Sequence, residues 1–159
     1  MPPWPRCCVR ATCEGCGRVS EHFRLRIRNS IDALVSANDA ATGWLEARHV
    51  PSEPAFLATL SIEELVSNCI KYGYDDQGEH LIDLDIGLEA DRLVITFTDD
   101  GRAFNPLEAP EPDLTLPLEE RPIGGLGLHL LRTMSDEMTY ERRDGLNRVT
   151  LVKALDAVS

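Results

Sequence analysis

The chain has 159 residues, enough for one domain with a substantial core and too few for two ordinary ones. Its 16 Lys and Arg stand against 27 Asp and Glu, and a net charge of −11 is the wrong sign for a duplex-binding surface. No apolar run approaches the ~20 residues of a membrane span, and the start, "MPPWPRCCVRATCEGCG", lacks the apolar centre of a secretory leader; a soluble cytoplasmic protein with no direct nucleic-acid or membrane partner is expected.

Cys7, Cys8, Cys13 and Cys16 crowd the beginning of the chain. "CEGC" has zinc-knuckle spacing, and Cys7 or Cys8 is at hand to complete a small site, but a second ligand pair at the usual distance is missing. Three prolines and no apolar periodicity favour a disordered tail over residues 1–19. Next, "HFRLRIRNS" alternates basic His22, Arg24, Arg26 and Arg28 with Phe23, Leu25 and Ile27, as a strand with one apolar face does. A solvated sheet face is the favoured account of its basic side, ahead of a nucleic-acid surface.

Residues 31–48 have helical spacing through Ile31, Leu34, Val35, Ala41, Trp44 and Leu45, interrupted by Asn38, with Ser30 or Asp32 placed to cap the start. Pro51 and Ser52 open a second helix that runs through Tyr72, where Gly73 is a plausible C-cap and Cys69 a small core residue. "LIDLDIGLE" and "DRLVITFTDD" alternate as two strands joined by the turn "EADR". Residues 102–123 then break the pattern with five prolines and many carboxylates, which reads as a lid or a plain solvated loop. A helix restarts behind the glycines of "GGLGLHLLRTMSDE", and "MTYERRDGLNRVTLVKAL" closes the chain as two strands around Asp144-Gly145. The order β-α-α-β-β-lid-α-β-β predicts an α+β fold, a two-layer α/β sandwich whose mixed, mainly antiparallel sheet is covered by helices on one face. The absence of long alternating βαβ units argues against a dinucleotide-binding fold.

Three stretches carry candidate chemistry. In "IEELVSNCIKYGYDD", Glu64 and Asn68 lie four residues apart on one helical face, off the apolar stripe of Ile62, Leu65, Val66 and Cys69, with Glu63 rotated away. An amide oxygen suits Mg²⁺, and a carboxylate one turn away can deprotonate a nucleophile; a merely polar helix face explains the pair equally well in isolation. In "TFTDDGRAFNP", Asp99 ends a strand where it can accept from an exocyclic amine, and Gly101 lets the backbone approach a flat ring; a simple Asp-Gly turn is the plain alternative. In "GGLGL", Gly124, Gly125 and Gly127 precede a helix whose free amides favour phosphate oxygens, packing glycines being the alternative.

Taken in order, these stretches resemble the N, G1 and G2 boxes of the Bergerat-fold (GHKL) ATP-binding superfamily, over most of residues 20–153. Within it the chain is most similar to the stand-alone serine/threonine kinases that serve as anti-sigma factors in bacterial partner switching. The resemblance implies one ATPase domain over residues 20–156 with an ATP lid at about 103–123, and ATP with Mg²⁺ as cofactors. It implies Glu64 as catalytic base, Asn68 as magnesium ligand, Asp99 as adenine-binding carboxylate beside Gly101, and Gly125 and Gly127 on the phosphates with Leu128 next to them. Thr150 falls near the last nucleotide-lining strand, with a strand Thr facing the core as its alternative, and Arg121 is the nearest match to an arginine that assists transfer in some relatives. Ala103 replaces the second glycine many members have after Gly101, a variation common in the kinase branch. The implied activity is phosphorylation of a STAS-domain anti-anti-sigma factor, with a sigma factor as second partner and a homodimer as the assembly. Two other readings accompany it: a nucleotide-gated sigma-binding protein without chemistry, and the ATP-binding part of a histidine-kinase-type system.

Overall fold

The computed structural model describes residues 20–120 and 125–156. The Cys-rich tail with its zinc alternative, Arg121, Gly124 and the end of the expected lid lie outside the described residues. Strand β1 (Glu21–Arg28) leads into α1 (Ile31–Ala47), whose first turn is capped by Ser30: its Oγ accepts from Ala33 N at 3.3 Å. The second helix is continuous through Tyr72 but not uniform. It consists of α2 (Ser52–Ser61), one π turn (Ile62–Val66) and α3 (Ser67–Tyr72). Strands β2 (Leu81–Leu88) and β3 (Arg92–Asp99) follow, then α4 (Leu126–Met134), β4 (Glu137–Arg143) and β5 (Leu146–Ala154).

The sheet order is β1-β2-β3-β5-β4, and every neighbouring pair is antiparallel. The expectation of a mixed sheet is therefore corrected: no parallel pair occurs among the described strands. Two tight hairpins account for much of this. One turns between β2 and β3. The other turns at Asp144 and Gly145, with φ of 52° and 77°, the left-handed pair that matches the twist of a two-residue hairpin. Helix α4 carries the chain to the outer edge as β4, so β5 returns between β4 and β3 and lies beside Asp99.

One face of the sheet contributes Ile27, Ile82, Leu84, Ile86, Leu93, Ile95, Phe97, Val149 and Leu151 to the core. Helix residues Leu34, Leu45, Leu57, Ile62, Val66 and Leu131 close over them as a second layer. Period-2 alternation in the strands meets period-3.6 spacing in the helices, and burial of each such side chain contributes about 1.5–3 kcal/mol. The other face is polar and largely self-neutralised. Arg24 Nε donates to Asp85 at 2.7 Å and Arg26 Nε to Asp83 at 2.9 Å, while His22 Nδ1 also lies 2.7 Å from Asp85. Cross-strand partners thus match the basic side of β1 with the acidic side of β2, consistent with the solvated face expected.

Candidate functional site

Asp99 is in phase with Leu93, Ile95 and Phe97 and so lies on the helix-facing side of β3. Its Oδ1 accepts from Gly101 N at 2.9 Å and from Asn147 Nδ2 at 3.0 Å. Gly101 is buried, and a Cβ there would stand 2.8 Å from the carbonyl oxygen of Gly73. The next residue binds the same carbonyl, Arg102 N donating to Gly73 O at 2.7 Å. The end of α3 and the exit of β3 therefore meet backbone to backbone. Gly73 is the C-cap residue, but with φ −74° it is not a left-handed cap; its carbonyl is the acceptor to which the β3 exit is tied.

Glu64 and Asn68 stand on the two sides of the change from π to α geometry. A π turn inserts an extra residue and re-aims the side chains on it, which is why such turns recur at functional sites. Here Glu63 is exposed and accepts from Asn38 Nδ2 at 3.2 Å, so it faces α1. Glu64 and Asn68 are half-buried. The Glu64 carboxylate reaches the start of α4 and fills the space in which a Gly127 side chain would sit. Gly125, at φ +87°, is the N-cap of α4, a conformation in which an L side chain would be strained. The start of α4 thus faces the π turn, where the helix dipole favours anionic oxygen.

Beneath Asp99 lies Cys69, 8% exposed. Burial, and secondarily the negative charge of Asp99, push its thiol up to about 12. Its Sγ is 3.7 Å from the hydroxyl of Tyr74, which burial also pushes up. Tyr74 stacks on His80 with ring centroids 3.7 Å apart and planes 8° from parallel. A carboxylate beside a buried thiol and an aromatic pair suits a flat, amine-bearing base.

The structure moves one sequence-derived site residue, Thr150, away from Asp99. Thr150 is on the opposite face of the sheet from Asp99, its Oγ1 3.4 Å from that of Thr96, because the pleat alternates and Val149 and Leu151 hold the inward parity. Leu128 is 5% exposed, so its side chain belongs to the core beneath the glycine loop. One residue escaped sequence reasoning. Asn147, 4% exposed, is in phase with Val149 and Leu151 and sits directly opposite Asp99 in the ladder. A polar residue on the inward parity of a strand was its available signal. The expected lid is held at its root: Pro106 is buried, and Arg132 of α4 donates through Nη1 to the carbonyls of Leu107 and Ala109 at 3.2 and 2.9 Å.

Residues 27–153 match the model of the histidine kinase-like ATPase domain. The chain belongs to the histidine kinase-like ATPase domain family. It is 30% identical over 131 residues to the serine/threonine-protein kinase BtrW of Bordetella bronchiseptica, a match covering 77% of this chain and 91% of the relative. It is 33% identical over 92 residues to the serine-protein kinase RsbW of Bacillus mycoides, covering 55% of this chain and 56% of that protein. A crystal structure of the RsbU and RsbW domains of Rv1364c from Mycobacterium tuberculosis superimposes with a TM-score of 0.57 at 15% identity, over 83% of this chain and 32% of the other. That likeness shows a shared fold. Among the described residues, no helix is long and apolar enough to cross a membrane.

Proposed function

We propose that the chain is an anti-sigma-factor serine/threonine kinase that takes ATP–Mg²⁺ and phosphorylates a STAS-domain anti-anti-sigma factor. The single observation that carries this reading is the contact of the Glu64 carboxylate with Gly127 at the head of α4. It sets a candidate base beside the amides best suited to phosphate, in a chain similar to named protein kinases.

Asp99 accepts the adenine amine. Gly125 and Gly127 leave the α4 amides open to the phosphates. Asn68 offers an amide oxygen to Mg²⁺. Among the described residues no group of three or more His, Cys, Asp or Glu is gathered for a metal, and one or two protein oxygens with phosphate oxygens completing the shell is a usual Mg²⁺ arrangement. ATP–Mg²⁺ supplies the phosphoryl group and neutralises its charge. Glu64 takes the proton of the incoming serine or threonine hydroxyl. The segment from Pro106 to Glu120 shields that hydroxyl from water, anchored through Arg132.

Both partners dock around this site, and the kinase works as a homodimer that holds a sigma factor in one nucleotide state and the STAS protein in another. A difference of about 1–3 kcal/mol between states is the usual size of such a coupling. The test is transfer of label from radioactive ATP–Mg²⁺ to candidate STAS proteins, with Glu64→Ala as the inactive control. Absence of transfer to every cognate candidate, with ATP binding intact, would leave nucleotide-gated sigma binding as the reading.

A further inference from the structure

Asn147 makes five hydrogen bonds from a site only 4% exposed. Its Nδ2 donates to Asp99 Oδ1 at 3.0 Å, to the Arg102 carbonyl at 2.7 Å and, longer, to the Gly101 carbonyl at 3.4 Å. Its Oδ1 accepts from Tyr140 Oη at 2.7 Å and from Arg142 Nη1 at 2.8 Å. Arg142 Nη1 also donates to the Gly101 carbonyl at 3.1 Å.

These partners fix the amide's orientation without ambiguity. Two donors face one end, and carbonyls with a carboxylate face the other, so a flipped amide would set donor against donor and acceptor against acceptor. Asn147 therefore always presents N–H to Asp99. Together with Gly101 N it engages Oδ1 twice, and both bonds pull on the same oxygen. That leaves Oδ2 as the oxygen to meet a ligand. The same amide reaches the carbonyl of Arg102, whose N–H is bound to Gly73 at the end of α3. One buried side chain thus connects β3, the β3 exit and the β4–β5 hairpin.

We infer that Asn147 is a positioning residue for base recognition, holding Asp99 so that its Oδ2 accepts the exocyclic amine of a 6-aminopurine. This rests on the proposal that Asp99 is the base-binding carboxylate. Without Asn147, Asp99 can rotate about its side-chain bonds, and the preference for an amine over a carbonyl at that position fades. The triphosphate contacts on α4 are untouched, so a nucleotide with an oxygen in place of the amine binds as before.

The experiment compares Kd for ATP and inosine triphosphate on the wild type, Asp99→Asn, Asn147→Asp and Asn147→Ser. Asn147→Asp keeps shape and the acceptor for Tyr140 and Arg142 but loses the donor. The wild type should prefer ATP, and Asn147→Asp should lose about 10–100-fold of that ratio, the worth of a hydrogen bond to a charged group. Asn147→Ser, whose hydroxyl is too short to span to Asp99, should lose a similar share and serves if the carboxylate pair prevents folding. A purely structural Asn147 would weaken both nucleotides together and leave the ratio unchanged, which overturns the inference. If Asp99→Asn also leaves the ratio unchanged, the Asp99 assignment itself has failed; if only that variant alters it, Asn147 alone is refuted.

Discussion

The carboxylate of Glu64 lies against Gly127, in the volume a side chain at that position would claim. The two residues are far apart in sequence, and the π turn on one side and the glycine loop on the other bring them together. Gly101 makes a different close approach, to the backbone carbonyl of Gly73. The two glycines therefore respond differently to the same substitution. Gly127→Ala pushes on the far end of a flexible side chain, which can swing away, so the melting temperature should hold within a few degrees. Turnover should fall ~10²-fold or more, since displacing a reacting group by about an ångström has that effect. Gly101→Ala pushes on backbone that cannot swing and should cost about 1–3 kcal/mol of stability. Thermal melts and a phosphotransfer assay on both variants check this; equal stability losses would mean that Glu64 is wedged rather than free.

Glu64→Ala should retain nucleotide affinity within a few-fold and lose phosphotransfer by ~10²–10⁴, the usual worth of a general base. Glu63→Ala should keep activity. It removes only the acceptor for Asn38 Nδ2 on the α1 side, so a small drop in thermal stability is its expected signature. Retained transfer in Glu64→Ala would remove the base assignment.

Asn68→Ala should weaken ATP with Mg²⁺ far more than ATP in excess chelator. The lost group is a neutral oxygen ligand whose main contribution is to the metal. Calorimetric titrations with and without Mg²⁺ decide the point, and an equal loss in both would place Asn68 on the nucleotide itself.

The element order was legible because apolar periodicity switches cleanly between 2 and 3.6 along this chain, as at Leu93, Ile95 and Phe97 against Leu34, Ala41 and Leu45. The Gly73–Gly101 contact was not. It joins residues distant in sequence through backbone atoms, which leave only a glycine as their trace. The π turn was equally hidden, since Ile62, Leu65 and Val66 also satisfy α-helical spacing. Thr150 was misplaced for a simpler reason. A hydroxyl on the last strand drew attention, whereas the parity of Val149 and Leu151 already assigned the inward position to Asn147.

The lid root and the rest of the lid should behave differently. Arg132 and buried Pro106 hold the segment near Leu107, whereas Leu114 and Leu118 beyond it are exposed. A protease specific for Glu should cut after Glu119 and Glu120 sooner than after Glu108, and ATP–Mg²⁺ should slow the former pair. Arg132→Gln, which retracts the donor from Leu107 and Ala109, should bring cleavage after Glu108 forward. Unchanged cleavage with and without nucleotide would make the segment an ordinary loop.

Cys69 gives the fold a pH dependence of definite sign. Its thiol has an ordinary value near 9.0 and is pushed up to about 12 in the folded protein, by burial first and then by Asp99. The folded state therefore keeps a proton that the unfolded chain gives up, and stability falls as pH rises through that window. The contribution is fully present below the unfolded value and declines by about 1.4 kcal/mol per pH unit above it. Tyr74 is raised from 10.0 for the same first cause, burial, and adds its own decline only above that value. The interval between pH 8 and pH 10 thus isolates Cys69. Urea unfolding across it should show the wild type losing about 1.4 kcal/mol more than Cys69→Ala by the upper end. Parallel losses in the two proteins would mean that the thiol ionises as readily folded as unfolded, and that the floor beneath Asp99 admits water.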